Sequence, residues 1–427
     1  MKRIAAFALA VLLASPARAA PLSAGRGAPD PLEAQARQFV RLALSLGHAY
    51  PRVVDAYFGP PELDAPARPL GALQGGLQQL AAALGRDPPS PRRDRLLRKV
   101  DSLSALTAVM KAPRALSFDD EARRVYGMAV PQPDAQGQAR ARAALDRLLP
   151  GRGDLIARLA AWRARFTIPE DRRGAVFLRA LAECRARTLA HWPLPPDEKL
   201  DVVWDAGVPA AWQRYQGHDR SRLEINPAAV ADPESALDVA CHEAYPGHHA
   251  QFLAMAARGV EDTVVILRSP EQVLREGAAN YGIALAFPAP ARLAFTRDVL
   301  FPLAGFDRRD AARFVAVHRL VGDLALSVLP ILRDYRDGKL ASGDAMAALM
   351  LQGLVSSPEA LLDFTRDTGA YVIGYTAARD LVRDCVAARS RATGRDSWTV
   401  LRAIVAGPDL TALDCPPFAQ PMSLHRP

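Results

Sequence analysis

Apolar residues recur at the spacing of an α-helix through most of this chain. In the first such segment the apolar positions lie three or four residues apart, on one helical face: Leu32, Ala36, Phe39, Ala43 and Leu46. Two further segments repeat the spacing, at Leu73, Leu77, Leu80 and Leu84 and at Leu96, Val100, Leu103 and Met110. Such apolar stripes must be buried against other helices, and the sequence therefore predicts a mainly α, multi-helical domain.

Proline-rich breaks separate the helical segments, and only two short segments have the composition of β-strands. The breaks lie at 87–91, 130–133 and 193–196. Val-Val-Trp at 202–204 predicts one strand, and Leu-Glu-Ile at 223–225, followed by Asn-Pro, predicts another. Helical patterns also occupy 154–190 and 290–405. We therefore expect one small β element, placed directly before the segment that carries the chemistry described below.

Length and composition favour one large globular domain. The chain has 427 residues, of which 50% are hydrophobic and 23% are charged. We expect a single helical domain over 32–427. Pro-Gly-Arg-Gly at 150–153 offers an alternative division into an N-terminal lobe, 32–150, and a catalytic lobe, 151–427. Residues 20–31, rich in Pro, Gly and Ala, are predicted to be a flexible leader.

Residues 1–19 have the pattern of a secretory signal peptide. Lys2 and Arg3 precede an apolar run over 4–15, and Pro-Ala-Arg-Ala at 16–19 ends in an A-x-A cleavage sequence. The run is too short to span a bilayer, and no later segment reaches about 18 uninterrupted apolar residues. We therefore expect a periplasmic or secreted protein. No membrane attachment is expected after cleavage, and no Cys follows the cleavage site to carry a lipid anchor.

Charge and cysteine content limit the partners and the covalent links. The formal net charge is +8, and it falls to +5 without residues 1–19, which hold three basic residues and no acid. The remaining basic residues alternate with acids, so nucleic acid is not an expected partner. A Cys385–Cys415 disulfide is predicted to fix the C-terminal tail. Cys241, in an apolar helical run, is expected to be a buried free thiol.

The segment that carries chemistry is His-Glu-Ala-Tyr-Pro-Gly-His-His at 242–249, and Asp-Pro-Glu at 232–234 predicts the start of its helix. Zinc hydrolases usually carry His-Glu with a second His four positions after the first, because such imidazoles share one helical face. Here Pro246 occupies that fourth position. Proline removes a helical hydrogen bond and clashes with the preceding turn, so the helix must kink or bulge.

Two histidines compete to be the second metal ligand. A two-residue bulge at Pro246 and Gly247 would return His248 to the face of His242. On an unbroken helix His249 would share that face instead, but about 10.5 Å further along the axis, which is too far for one ion. We favour His248 as the ligand and expect His249 to orient or bind the substrate.

A third ligand is expected from a second apolar helix. Glu276 follows His242 by 34 residues and lies in Leu-Arg-Glu-Gly-Ala-Ala-Asn-Tyr-Gly at 274–282. Two His and one Glu form the ligand set of catalytic zinc sites, with a fourth position open for water. Glu243 would be the general base for that water, and Asn280 a second-shell partner. One zinc ion is the expected cofactor, although manganese or cobalt are alternatives.

These motifs resemble those of a bacterial family, the domain of unknown function 885, which is related to zinc metallopeptidases of the gluzincin type. Residues 242–248 match its H-E-x-x-P-G-H signature, and 276–281 match E-G-W-A-x-Y, with Ala278 in place of Trp. Residues 319–327 are similar to R-L-V-V-D-T-G-L-H, with Ser327 in place of the final His. The departure at Ser327 argues against a His-dependent transition-state role there.

Further segments extend this resemblance over most of the mature chain. Residues 54–60, 118–121 and 221–226 are similar to segments of one branch of the family, and 368–375 is similar to its P-G-Q-A-x-x-Y element. The resemblance implies a mostly helical fold with a deep central cleft. It does not identify a substrate.

A small-residue helix downstream carries further candidate site residues. Tyr371, Tyr375 and Arg379 are spaced by four and share one helical face. Tyr375 would stabilise an oxyanion as a catalytic residue, whereas Tyr371 and Arg379 would bind the substrate, with Arg379 holding a carboxylate. The alternative is a tyrosine ledge in the core with Arg379 reaching solvent. His318 and Asp323, on another helix, are further second-shell candidates.

The favoured hypothesis is an exported zinc-dependent metallopeptidase in which Glu243 activates a metal-held water against a peptide bond. The expected partner is a peptide or small amide. An amidase or esterase acting on non-peptide substrates is one alternative, because the same water attack serves any acyl centre. A non-catalytic exported binding protein with a decayed site is another, and Ala278 and Ser327 are the residues that favour it.

Overall fold

The computed structural model describes residues 31–51, 53–114, 116–208, 210–255 and 259–407. The predicted signal peptide 1–19, nearly all of the predicted leader 20–31, and Cys415 therefore lie outside the described residues. The described chain is mainly α-helical, as the apolar periodicity predicts. Its N-terminal helices are α1 (Pro31–Ala49), α2 (Leu70–Arg86), α3 (Pro91–Lys111), α4 (Phe118–Tyr126), α5 (Ala135–Leu148), α6 (Leu155–Arg165) and α7 (Glu170–Leu189).

The second half of the chain contains shorter helices, several of them joined directly to one another. They are α8 (Pro233–Glu243), α9 (His248–Ala254), α10 (Pro270–Ala286), α11 (Ala289–Phe295), α12 (Phe301–Ala304), α13 (Ala311–Gly322), α14 (Val328–Arg336), α15 (Ser342–Gly353), α16 (Pro358–Thr368), α17 (Ile373–Thr376), α18 (Ala378–Thr393) and α19 (Ser397–Ala406). Short 3₁₀ turns and one π-turn, Thr296–Leu300, connect some of them.

Two small sheets accompany the helices. Their strands are β1 (Val54–Tyr57), β2 (Lys199–Trp204), β3 (Ala211–Gly217), β4 (Arg220–Ile225) and β5 (Val264–Ile266). The three-stranded sheet has the order β2-β4-β3, with β2 parallel and β3 antiparallel to β4, and β1 pairs antiparallel with β5. The two predicted strands lie within β2 and β4. The sequence did not predict β3, because Gln, Arg and Gly give it a weak strand pattern. It also did not predict β1 and β5, so the second sheet departs from the expected single β element.

The helices α8 and α10, which carry the candidate site, begin at side-chain caps. Asp232 precedes α8, and its carboxylate accepts hydrogen bonds from the backbone N–H groups of Glu234 and Ser235. Ser269 precedes α10, and its hydroxyl accepts from the N–H of Gln272. In both helices a proline occupies the first turn, where its missing N–H costs nothing. The predicted start of α8 at residues 232–234 is therefore confirmed.

The main hydrophobic cluster surrounds α10, in which 12 of 17 residues are buried. Helix α10 packs against α8 and very closely against α18. A Cβ atom at Gly277 would lie 2.4 Å from the carbonyl oxygen of Ala378, so this contact requires glycine. The cluster contains residues from both sides of residue 150, for example Val125 and Val273. The alternative two-lobe division at 150–153 stays a prediction.

A disulfide joins Cys184 of α7 to Cys241 of α8. The prediction of a free thiol at Cys241 is therefore wrong, although the side chain is buried as expected. Sequence spacing gave no sign that α7 passes beside α8, because the two cysteines are 57 residues apart. Cys385 is also disulfide-bonded. Cys415, its predicted partner, lies outside the described residues.

One described segment, Arg308–Arg336, is long and apolar enough to cross a bilayer by length and composition alone. It runs from a 3₁₀ turn through α13 and a second 3₁₀ turn into α14. Helices from the core of a soluble protein pass the same test. Here Phe314, Val317 and Leu320 pack with Trp162 and Phe166 in a second hydrophobic cluster. The expectation of no membrane attachment stays a prediction.

Candidate metal centre

A wide turn separates α8 from α9 at the Pro-Gly sequence. Helix α8 ends at Glu243 and α9 begins at His248. Across the turn the N–H of Gly247 donates to the carbonyl of Cys241 at 3.0 Å, and that of Ala250 donates to Ala244 at 2.9 Å. Each bond spans six residues where an α-helix spans four, so two extra residues are accommodated. This geometry is the two-residue bulge that the sequence predicts.

Gly247 is required in this turn. A Cβ atom on Gly247 would lie 1.7 Å from the carbonyl oxygen of His242, closer than any side chain can approach. The break therefore depends on glycine for space as well as on proline for ending the helix. Pro246 itself packs against α10, where its ring would meet a Cβ atom placed on Gly282.

The bulge brings His242, His248 and Glu276 together. Their ligand atoms all lie within 4.8 Å of one another. Oε2 of Glu276 is 3.1 Å from Nε2 of His242 and 3.4 Å from Nε2 of His248. Ligand atoms bound at about 2.0–2.1 Å around a tetrahedral ion are roughly 3.3 Å apart, which these separations match. The group can therefore hold a metal ion.

Hydrogen bonds to neighbouring side chains fix the orientation of His242 and Glu276. Nδ1 of His242 is 3.1 Å from Oδ1 of Asn280, so this nitrogen donates and Nε2 is left as the acceptor that a metal needs. The hydroxyl groups of Tyr371 and Tyr375 donate to Oε1 of Glu276 at 2.9 and 3.1 Å. Oε2 of Glu276 consequently remains the oxygen that faces the two histidines.

Electrostatics in the group favour a charged, hydrogen-bonded cluster when no metal is bound. Burial lowers the pKa of His242, but Glu276 and the nearby charge of Glu243 outweigh it and raise that pKa to about 9. Burial raises the pKa of Glu276, but His248 and His242 outweigh it and hold that pKa well below its usual range. A metal cation would take the place of the proton at Nε2 of His242.

Glu243 lies beside the cluster with both carboxylate oxygens available. It is half-buried and makes no hydrogen bond or ion pair with any described residue. Its negative charge raises the pKa of both His242 and Tyr375. A carboxylate with free lone pairs next to a metal ligand is the arrangement that a general base requires.

His249 faces away from the cluster and is fully buried. Its Nδ1 is 2.8 Å from Oγ of Ser221 in β4, and its Nε2 is 2.9 Å from Oε2 of Glu198. Both ring nitrogens are occupied by protein groups, so the predicted substrate contact of His249 does not fit the structure. His249 instead anchors the first turn of α9 and thereby positions the adjacent His248.

Glu198 is the centre of this anchor. It also accepts hydrogen bonds from the hydroxyl of Tyr245 and from Nε of Arg185, each at 2.8 Å. Burial raises the pKa of Glu198, but the bonds from His249, Tyr245 and Arg185 outweigh it and lower that pKa to about 2. Glu198 is therefore a stable anion that ties α7, the turn between α8 and α9, and α9 itself to the start of β2.

The three site residues predicted on the small-residue helix, Tyr371, Tyr375 and Arg379, differ in burial and in the groups they contact. Tyr371 is buried and holds Glu276, so its predicted substrate contact does not fit. The ring of Tyr375 is 43% exposed and stacks at 6.4 Å from His242, a position open to a ligand. Arg379 is partly exposed and pairs with the neighbouring Asp380.

The further second-shell candidates do not touch the cluster. Nε2 of His318 lies 2.8 Å from Oδ2 of Asp238. Asp238 is on α8, one helical turn before His242. Asp323 pairs with Arg319 on the exposed face of α13. The hydroxyl of Ser327 is buried and donates to the carbonyl of Leu324 at 2.6 Å.

Sequence reasoning missed Asp55 as a neighbour of the cluster. It lies in β1, accepts a hydrogen bond from Nε1 of Trp212 at 3.0 Å, and interacts electrostatically with His248 and Glu276. Burial raises the pKa of Asp55, and Trp212 and His248 oppose this. Asp55 belongs to a segment that resembles the family, but a single acid far from the motif gave no sign that β1 reaches the site.

Comparisons with known proteins support the fold and nothing finer. No protein-family model matches the chain, and no curated protein matches it. A candidate lipoprotein of Colwellia psychrerythraea has a similar structure, with a TM-score of 0.50 and 16% identity over 79% of this chain. A candidate lipoprotein of unknown function from Shewanella oneidensis has a TM-score of 0.43 and 12% identity, covering 79% of this chain and 73% of that one. The chain spans 61% of the Colwellia protein.

Proposed function

We propose that this protein is an exported zinc-dependent hydrolase that cleaves peptide bonds. One observation carries the proposal: His242, His248 and Glu276 form a triangle of ligand atoms, and Glu243 follows His242 in the chain. Two imidazoles and one carboxylate are the ligands of catalytic zinc sites and leave the fourth position open. The resemblance to the domain of unknown function 885, and through it to gluzincin-type peptidases, agrees with this set.

The side chains around the triangle have distinct tasks in the proposed reaction. A bound zinc ion would polarise the scissile carbonyl group and lower the pKa of a water molecule. Glu243 accepts a proton from that water and returns it to the leaving amine. The hydroxyl of Tyr375, at the exposed edge, would exchange its hydrogen bond to Glu276 for one to the carbonyl oxygen as negative charge develops there. Asn280 and Tyr371 hold His242 and Glu276 in place.

Two alternatives share parts of this site. An amidase or esterase would use the same groups, and only substrate trials separate it from a peptidase. A decayed binding protein is less favoured, because the three ligands, Asn280 and Glu243 are all in place. Export is proposed from the pattern of residues 1–19, which would also place the two disulfides in an oxidising compartment.

Metal content tests the ligand assignment. We expect about one zinc per chain in the purified mature protein, measured by mass spectrometry after dialysis against zinc. His248→Ala should lose the metal, whereas His249→Ala should keep a measurable fraction if it remains folded. Circular dichroism on both variants separates loss of a ligand from unfolding. A wild-type protein that binds no metal would refute the proposal.

Glu243→Gln tests the catalytic base. This change keeps the size of the side chain and removes its charge, so metal content should be unchanged while turnover falls about 10²- to 10⁴-fold. A peptide library digested by the wild type, followed by mass spectrometry, supplies the substrates and separates peptidase from non-peptide amidase activity. Full activity in Glu243→Gln would rule out the mechanism.

A further inference from the structure

An open, largely apolar cavity adjoins the metal cluster. It has a volume of about 500 Å³, within the range for small-molecule pockets. Tyr375 forms part of its wall, and the hydroxyl of Tyr375 donates to Glu276. Tyr375 therefore links the cavity to the candidate metal centre. We call it the Tyr375 cavity.

The walls of the Tyr375 cavity are aliphatic and aromatic. They include Val321 and Val328, from the ends of α13 and α14, and Phe364 and Val372. The ring of Phe364 packs against that of Tyr375 with centroids 5.8 Å apart. Such a lining favours an apolar side chain of a substrate, because burying it releases water from both surfaces.

Arg163 of α6 is the one residue with a permanent charge among the described residues that line this cavity. It is half-buried, and its only hydrogen bond to the described residues is a long one of 3.5 Å from Nη1 to the carbonyl of Leu354. No carboxylate within the described ranges pairs with it. Arg268 and Arg292, which are also largely buried, pair with Glu121 and with Glu234 and Asp238 respectively.

Arg163 lacks the carboxylate partner that Arg268 and Arg292 each have. Burial lowers the pKa of Arg163, with a weaker opposing effect from Asp232, so its charge is only partly compensated. A planar guanidinium group is suited to a bidentate contact with a carboxylate. A ligand carboxylate in the Tyr375 cavity would supply that contact at the same time as an apolar group filled the cavity.

We propose that the Tyr375 cavity binds the C-terminal end of a peptide, with an apolar side chain against Val328 and Phe364 and the terminal carboxylate at Arg163. This inference rests on the proposed peptidase function and makes it more specific. The bond cleaved at the metal centre would then lie close to the C-terminus, and the released fragment would end in an apolar residue. Arg163 takes the carboxylate-binding role that the sequence assigned to Arg379.

Binding of matched peptides tests this assignment. The probe is N-terminally dansylated Ala-Ala-Phe, as the free acid and as the C-terminal amide, bound to zinc-loaded Glu243→Gln protein so that no turnover occurs. Fluorescence anisotropy gives Kd. We expect the acid to bind about 10- to 100-fold more tightly than the amide, the range for a hydrogen bond to a charged group. Arg163→Gln should remove that difference, and Arg163→Lys should retain part of it.

Arg366→Gln is the matched control. Arg366 lies on α16, which lines the cavity, but its side chain is 60% exposed and pairs with Asp363. This variant makes the same change of charge and should leave both Kd values unchanged. Arg379→Gln is a further variant. It tests whether Arg379, which the sequence predicts to hold the carboxylate, contributes to binding. Far-UV circular dichroism and zinc content confirm that each variant is folded.

The outcomes separate this inference from the proposed function. Equal binding of acid and amide to the parent protein, no binding of either, or a loss in Arg379→Gln but not in Arg163→Gln would overturn the role of Arg163. Library peptides that are cleaved without preference for a free C-terminus would overturn it too, while the peptidase function stands. Preference for the acid in binding, with no library peptide cleaved, would instead leave the inference supported and refute the peptidase.

Discussion

The disulfide between Cys184 and Cys241 should contribute a large part of the folding stability. The bridge closes a loop between residues 57 positions apart. In the chain-entropy model, closing such a loop removes about 14 cal/mol/K from the unfolded chain, which is about 4 kcal/mol at 25 °C. Many domains have a total stability of only about 5–15 kcal/mol, so loss of the bridge should be easy to measure.

Three variants distinguish a bridge effect from a packing effect. Cys184→Ala, Cys241→Ala and the double variant should each lower the free energy of unfolding by about 4 kcal/mol, because removing either sulfur already opens the loop. Urea denaturation followed by circular dichroism at 222 nm gives these values. Losses that add in the double variant, or a loss below about 1 kcal/mol, would refute the loop-closure argument.

Metal affinity provides a second check on the same variants. Cys241 precedes the ligand His242, but the side chain of His242 is held by α8 and by Asn280. If the bridge acts mainly on the unfolded chain, zinc affinity of the folded variants should change by less than about threefold. A large loss of zinc in a folded variant would show that the bridge positions α8 instead.

Three further predictions follow from the contacts of the centre. Gly247→Ala should abolish zinc binding, measured by mass spectrometry, because the new Cβ would lie 1.7 Å from the carbonyl oxygen of His242; retention of zinc would show that the turn can relax. Tyr371→Phe should weaken zinc affinity about 10-fold in competition with a chelator, as loss of an outer contact to Glu276 does, and unchanged affinity would contradict that role. The pKa of Glu198, about 2 in the fold against an ordinary 4.5, should contribute about 3 kcal/mol that is present above pH 4.5 and lost as pH falls towards 2. Glu198→Gln should flatten this acid-induced loss in urea titrations at several pH values, and an unchanged pH dependence would refute the assignment.

The sequence by itself indicated the helical fold, the strands within β2 and β4, and the cap of α8. Each of these depends on local rules: apolar spacing, branched and aromatic residues, and Asp232 before Pro233. The two-residue bulge was also predictable, because Pro246 cannot continue a helix and Gly247 permits an unusual turn. These features follow from contacts between residues close in the chain.

Tertiary structure decided the surroundings of the candidate site. The burial of His249 depends on Glu198, 51 residues away, and the position of Asp55 depends on how β1 pairs with β5. The disulfide at Cys241 and the cavity that holds Arg163 likewise join segments far apart in sequence. Periodicity and motif spacing report which face of an element is apolar or reactive. They carry no information on which distant element packs against that face, and that packing determines which side chains remain open to a ligand.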